Sequence, residues 1–166
     1  MKTKHNNQFH FLNYLITSIT PINPIALITL ITFLLFSSCK DKDPCKDNAG
    51  SGGSVNLKFS LYHHTRAIKN LSGYPDSVYV FFNTSDLPAL KNDGSKLPIS
   101  YDALFIGNDT SSNTVMVTGL KCGDYYFYGA GMDSTGPYRV LGGIPYTVEE
   151  DHNGDYSLNL PVTEGD

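Results

Sequence analysis

Histidine and carboxylate side chains are the first candidates for chemistry in this chain. His63 and His64 are adjacent, and His152 lies far from them in the sequence. Neighbouring residues of a strand point to opposite faces, so we expect His63 and His64 not to share a metal ion. The usual hydrolase, phosphate-binding and zinc signatures are missing: Gly-x-Ser-x-Gly, the Walker loop, His-Glu-x-x-His and Cys-x-x-Cys. The sequence therefore predicts no catalytic residue, no metal site and no cofactor.

The acidic turn Asp151-His-Asn-Gly-Asp155 leaves two interpretations open. Oxygen ligands at alternate positions are typical of the start of a calcium loop, but no glutamate follows at the twelfth position. The same turn contains Asn153-Gly154, a strong hairpin signal. The simpler interpretation is a hairpin that joins residues 146–149 to residues 156–160.

Four consecutive aromatic residues form the candidate binding surface. Tyr125, Tyr126 and Tyr128 surround Phe127, and side chains of a strand alternate between its faces. One face must belong to the core. The other face is either an exposed platform for sugar rings or peptides, or it is covered by the domain and by the 83–98 loop.

The three cysteines separate into one cysteine at the end of the leader and a pair. Cys45 and Cys122 are an even pair, which an oxidising compartment can join in a disulfide. The alternative is two unpaired thiols. A disulfide would fasten the segment after the leader to the rest of the chain.

Residues 1–38 have the composition of a targeting segment. They contain no Asp or Glu, and Lys2 and Lys4 are their only Lys or Arg residues. A 13-residue apolar run over 24–36 is followed by Ser37 and Ser38. This order is typical of a secretory signal peptide. An uncleaved membrane anchor and ordinary cleavage without lipid are the alternatives.

The residues before Cys39 read Leu-Phe-Ser-Ser, which resembles the lipobox of bacterial lipoproteins, in the looser form of the Bacteroidetes type. The resemblance implies cleavage after residue 38 and lipid on Cys39. It also implies an outer-membrane protein facing the periplasm or the cell surface. Each buried CH₂ contributes about 0.8 kcal/mol, so two or three acyl chains hold a protein at a membrane.

These patterns divide the chain into three predicted segments. Residues 1–38 are the predicted lipoprotein signal peptide. Residues 39–54 combine the lipidated Cys39 with a polar stretch that ends in Gly-Ser-Gly-Gly-Ser, and they are the predicted flexible tether. Residues 55–166 are the predicted folded domain.

Alternating apolar residues and turn signals predict an all-β domain. Short strands are expected over residues 55–61, 78–82, 101–105, 114–118, 124–131, 138–141, 144–148 and 156–160. Seven or eight strands at this spacing indicate a β-sandwich or a small barrel, and we expect a single antiparallel sandwich, with no helix after the signal helix.

Residues 115–128 carry a second resemblance. They read Val-Met-Val-Thr-Gly-Leu-Lys-Cys-Gly-Asp-Tyr-Tyr-Phe-Tyr. A strand, a Gly-Leu-x-x-Gly-x-Tyr turn and an aromatic strand resemble the prealbumin-like (transthyretin-like, carboxypeptidase-regulatory-like) β-sandwich, an immunoglobulin-like architecture. The resemblance extends over about 57–162. It implies an accessory or binding module and brings no active site with it.

The net charge of the chain narrows the classes of function that we expect. The 166-residue chain has a formal net charge of −4, and residues 39–166 hold 10 basic and 16 acidic side chains, a net −6. An acidic domain argues against nucleic-acid binding. We expect a lipid-anchored, non-catalytic envelope protein that binds or scaffolds an envelope protein or a glycan. The alternatives are a small hydrolase or peptidase accessory with an Asp/His site, and a structural adhesion or spacer unit.

Overall fold

The computed structural model describes residues 43–69, 71, 73–107, 113–136 and 138–165. All described residues lie in one compact unit, Lys42–Asp166. The predicted signal peptide over 1–38 and the predicted lipid site at Cys39 lie outside the described residues.

The described part of the chain is all-β, as predicted, and it contains eight strands. They are β1 (Ser51–His63), β2 (Arg66–Ala67), β3 (Ser77–Phe82), β4 (Ala103–Ile106), β5 (Val115–Leu120), β6 (Gly123–Asp133), β7 (Tyr138–Val148) and β8 (Gly154–Glu164). Among these residues no helix is long and apolar enough to cross a bilayer.

The strands form one mixed sheet that curls around the core. Its order is β2-β1-β8-β7-β6-β3-β4, and β5 pairs with the first part of β1 on the same edge as β2. β1 and β8 are parallel over nine residue pairs, from Val55–Gly154 to His63–Val162. The predicted all-antiparallel arrangement is therefore wrong, because side-chain alternation reports which face a residue takes and carries no strand direction.

The predicted tight hairpin at Asn153-Gly154 does not form. β7 and β8 follow one another through residues 149–153, but they pair only at Val140–Glu164 and Leu141–Thr163. The first nine residues of β8 pair with β1 instead. The two strands therefore separate beside the turn, and this separation curls the sheet.

One main core fills the inner face of the curled sheet. β1 contributes Val55, Leu57, Phe59 and Leu61, which are all at most 1 % exposed. Phe59 meets Phe127 of β6 with ring centroids 4.7 Å apart. Valines of β3, β5 and β7 and Leu160 of β8 complete the cluster. The alternation predicted for 55–61 is thus confirmed, with the apolar residues of β1 on the core side.

Part of the predicted flexible tether, residues 39–54, is folded into the domain. β1 starts at Ser51, and a disulfide joins Cys45 to Cys122. Between them, the amide of Ala49 donates a hydrogen bond to Asn83 Oδ1 at 2.9 Å. From Cys45 onward this segment is therefore packed onto the sheet.

Candidate functional site

A groove of about 360 Å³ opens on the outer face of the sheet, the face opposite the main core. Its lining includes Tyr74 before β3, Ser77 and Tyr79 of β3, Leu97 of the 83–98 loop, Met132 of β6 and Arg139 of β7. Ring faces, a thioether and a guanidinium are thus gathered around one open depression. The groove is our candidate binding site.

Strand register explains why these residues meet. β6 lies between β3 and β7, with Tyr79 opposite Tyr128 and Met132 opposite Arg139. Val78 and Val80 of β3 are fully buried on the core side, so Tyr79 must face outward. The same alternation places Met132 on the outer face, two residues after Ala130. Three neighbouring strands therefore build the groove.

The predicted binding surface of Tyr125, Tyr126 and Tyr128 is wrong, because all three side chains are buried. Tyr125 is 0 % exposed on the core side, and its hydroxyl donates to the Lys121 carbonyl at 2.7 Å. Tyr126 and Tyr128 lie on the outer face but are only 7 % and 3 % exposed.

The 83–98 loop is what buries the outer pair. Leu90 and Leu97 of this loop pack against the cluster that contains Tyr126 and Tyr128. The Tyr128 hydroxyl also donates a hydrogen bond to the Lys96 carbonyl at 2.9 Å. The loop covers one half of the outer face, and the groove is the half that it leaves open.

Different tyrosines provide the accessible aromatic surface. Tyr74, Tyr101 and Tyr138 are 62 %, 48 % and 57 % exposed. Tyr101 meets Tyr79 edge to face, with centroids 5.1 Å apart. Burial, together with the neighbouring Tyr101, raises the pKa of Tyr79 above its ordinary value. The sequence placed Tyr74 in a turn, and that pattern does not report that its ring lines the groove.

A second cavity of about 310 Å³ adjoins the groove. It shares Tyr74 and Met132 with the groove and is also lined by Leu71, Asp133 and Ser134. The groove thus continues along β6 toward the carboxylate of Asp133.

Asp133 is half of a buried hydrogen-bonded pair. Its Oδ2 lies 2.6 Å from Nδ1 of His63, and both residues are under 9 % exposed. Its Oδ1 accepts hydrogen bonds from the amide and the hydroxyl of Thr135 at 2.9 and 2.8 Å. The hydrogen bond from His63 is the largest cause that lowers the pKa of Asp133 to about 2. The carboxylate is therefore ionised and fully used in holding the histidine ring and the turn after β6.

The expectation that His63 and His64 point apart is wrong. β1 ends at His63, and His64 adopts a left-handed conformation with a φ of 55° in the turn that leads to β2. The strand alternation therefore does not extend to His64, and the two rings face each other with centroids 4.1 Å apart. Together with Glu164 they form the one group among the described residues that offers three metal-ligand atoms within 4.8 Å of one another.

A second carboxylate, Asp76, lies buried beside the same end of the core. It is 1 % exposed, and burial raises its pKa from 3.8 to about 7. Its neighbours include Gly131 and Ile68: a Cβ built on Gly131 would collide with Asp76 Oδ1 and with the Ile68 side chain. Glycine at 131 thus leaves room for this carboxyl group.

The polar groups of the acidic turn over residues 151–155 form hydrogen bonds within the fold. His152 Nδ1 accepts a hydrogen bond from the Glu149 amide at 3.2 Å, and Asn153 Nδ2 donates to the Asp151 carbonyl. Asp155 accepts a hydrogen bond from Asn56 at 2.7 Å. These contacts favour the plain-turn interpretation over the calcium loop.

Comparison with protein-family models, curated proteins and solved structures found no match to this chain. The two resemblances noted in the sequence, to lipoproteins and to prealbumin-like domains, therefore remain predictions.

Proposed function

We propose that this chain is a lipid-anchored envelope protein whose β domain binds a glycan in the outer groove, without catalysing a reaction. The observation that carries the proposal is the groove itself, which is lined by Tyr74, by Tyr79 of β3 and by Arg139 of β7. The domain is placed at the outer membrane, facing the periplasm or the cell surface, and Cys39 is the lipid-bearing residue.

The disulfide supports export. Cys45 and Cys122 are bonded, and disulfides persist in oxidising compartments such as the periplasm or the cell exterior. Cys45 follows Cys39 by only six residues. A chain anchored at Cys39 would therefore hold its domain close to the membrane.

The architecture is consistent with the finer assignment to a prealbumin-like sandwich. β1 and β6 face each other across the core through Phe59 and Phe127. The Gly-Leu-x-x-Gly-x-Tyr turn joins β5 to β6, with Gly119 and Gly123 both at positive φ. We include this assignment in the proposal because such domains act as accessory modules.

A glycan suits the groove for two chemical reasons. Tyrosine rings offer flat apolar faces next to a hydroxyl, and a sugar likewise combines an apolar ring face with hydroxyls. Arg139 adds a guanidinium that pairs with a carboxylate or sulfate substituent. An acidic saccharide is therefore the ligand that uses every type of side chain in the groove.

A second candidate, a hydrolase, is favoured by one observation. His63 and Asp133 form the buried His–Asp pair that orients a general base in hydrolytic sites. The Thr135 hydroxyl donates to Asp133 and not to the histidine. The pair accordingly lacks the hydroxyl nucleophile on the histidine that the Ser–His–Asp arrangement requires.

A glycan array probed with the full chain in detergent tests the groove. We expect retention of acidic saccharides, and a loss of at least about tenfold in affinity for Tyr74→Ala and for Arg139→Ala, since each removes a direct contact. Tyr62→Ala, on β1 and outside the groove, is the matched control and should bind as the wild type does.

Two results would contradict the proposal. One is equal binding by the groove variants and the control. The other is hydrolysis of an ester, peptide or glycoside substrate that is lost in His63→Gln, which would establish the enzyme instead.

A further inference from the structure

The far end of the inner face gathers four side chains that the groove does not use. His63 and His64 end β1 and begin the next turn, Glu164 ends β8, and Asp133 ends β6. These residues are separated by up to 101 positions in the sequence. The fold alone brings them together.

The parallel pairing of β1 and β8 explains the meeting of the histidines and the glutamate. His63 is in register with Val162, so the end of β8 extends just beyond the end of β1. His63 continues the inward series of Phe59 and Leu61, and Glu164 continues the inward series of Leu160 and Val162. Had the two strands been antiparallel, as the sequence suggested, their ends would lie at opposite edges.

The turn after β1 adds the second imidazole. His64 has a φ of 55°, a left-handed conformation that residues with a Cβ rarely adopt. It brings the His64 ring to 4.1 Å from the His63 ring. His64 and Glu164 are exposed while His63 is buried, so the cluster has an anchored inner ligand and an open outer side.

Asp133 fixes the inner ligand. Its Oδ2 lies 2.6 Å from His63 Nδ1, so Nε2 is the nitrogen that would bind a metal ion. A carboxylate on one nitrogen of a metal-binding histidine fixes the tautomer and the ring orientation, and makes the other nitrogen a better ligand. Asp133 is itself held by two hydrogen bonds from Thr135.

We propose that His63, His64 and Glu164 bind a divalent transition-metal ion of the zinc type, with Asp133 as the positioning residue for His63. Two imidazoles and one carboxylate are the three protein ligands of an open zinc site, whose fourth position takes water or a ligand. Zn–N bonds of about 2.0 Å place ligand atoms roughly 3.3 Å apart in a tetrahedron. The exposed side chains of His64 and Glu164 reach that spacing by small rotations from their separation of at most 4.8 Å.

Charge agrees with this assignment. The cluster holds two carboxylates, Glu164 and Asp133, and two imidazoles that bind metals in their neutral form. A divalent cation neutralises the two negative charges. The site is independent of the groove proposal, because none of its three ligands lines the groove.

Zn²⁺ titration of the full chain by calorimetry, after treatment with a chelator, tests the site. We expect one Zn²⁺ per chain at this cluster. Binding should weaken by at least about tenfold in His64→Ala and in Glu164→Gln, both exposed positions where the fold does not depend on the side chain. Asp133→Asn should weaken it by about 10–100-fold, the range for a partner that orients a ligand.

His152→Ala is the matched control, since His152 lies in the turn before β8 and outside the cluster. It should leave Zn²⁺ affinity unchanged. The proposal is overturned if the wild type binds no Zn²⁺, or if the double variant His64→Ala/Glu164→Gln retains the wild-type stoichiometry and affinity. Circular dichroism of each variant confirms that its β fold is intact, and His63→Ala is avoided as a first test because that side chain is buried.

Discussion

Several polar side chains are buried in this fold. His63 and Asp133 satisfy one another at 2.6 Å, and the Tyr125 hydroxyl donates to the Lys121 carbonyl at 2.7 Å. Buried polar groups are tolerated when they are bonded in this way. At Asp76, burial raises the pKa of the carboxyl group to about 7.

The buried carboxyl group of Asp76 leads to a prediction about how the free energy of unfolding depends on pH. Its folded pKa of about 7 lies above the unfolded value of 3.8, so the unfolded chain loses this proton first as the pH rises. The free energy of unfolding should therefore decrease between about pH 4 and pH 7, at up to about 1.4 kcal/mol per pH unit from this group, and level off above. Asp76→Asn should lack this decrease in urea unfolding.

The exposed Asp86→Asn variant is the control for that experiment and should keep the wild-type dependence on pH. The account of Asp76 is contradicted if Asp76→Asn and the wild type show the same slope between pH 4 and pH 7.

Elements show how far the sequence determines the fold. Alternation located the strand around Phe59, because burying every second residue leaves a direct record in the sequence. Runs of β-forming and aromatic residues next to turn signals located the strands around Val80 and Phe127. Alternation could not give the parallel pairing of β1 with β8, since both directions bury the same residues. The sequence pattern also did not predict the left-handed turn at His64, and therefore it did not predict the metal-ligand cluster.

Coverage by a loop is a second limit on prediction from sequence. Tyr126 and Tyr128 resemble an exposed aromatic surface until Leu90 and Leu97 are seen to pack on them. Nothing in the composition of residues 83–98 indicates where the loop lies. The accessible groove was missed for the same reason, because its position is defined by what the loop leaves uncovered.

The close approach of the β7 and β8 backbones at Gly142 leads to a prediction about stability. A Cβ on Gly142 would collide with the Pro161 carbonyl and lie 2.9 Å from Val162 Cα. Gly142→Ala should therefore lower the free energy of unfolding in urea by about 1–3 kcal/mol, since the backbone must shift. Gly50→Ala is the control, because no atom lies within 4 Å of its built Cβ. Equal stability of the two variants would contradict the described crossing.

At the scale of the whole molecule, the leader, the disulfide and the acidic domain fit one account. In the proposed account, the predicted signal peptide would deliver the chain to an oxidising compartment, where the Cys45–Cys122 disulfide persists and fastens the start of the domain. The net charge of −6 over residues 39–166 disfavours nucleic-acid binding. The proposal thus places the groove and the metal-ligand cluster outside the cytoplasm. All of this depends on the fate of Cys39.

Mass spectrometry of the protein extracted from membranes tests that dependence most directly, with Cys39→Ala as the control. We expect the mature chain to begin at an acylated Cys39, to lack residues 1–38 and to retain the Cys45–Cys122 bond, while Cys39→Ala carries no lipid. A mature chain that keeps residues 1–38, or that carries an unmodified Cys39, would contradict the proposed anchored envelope protein.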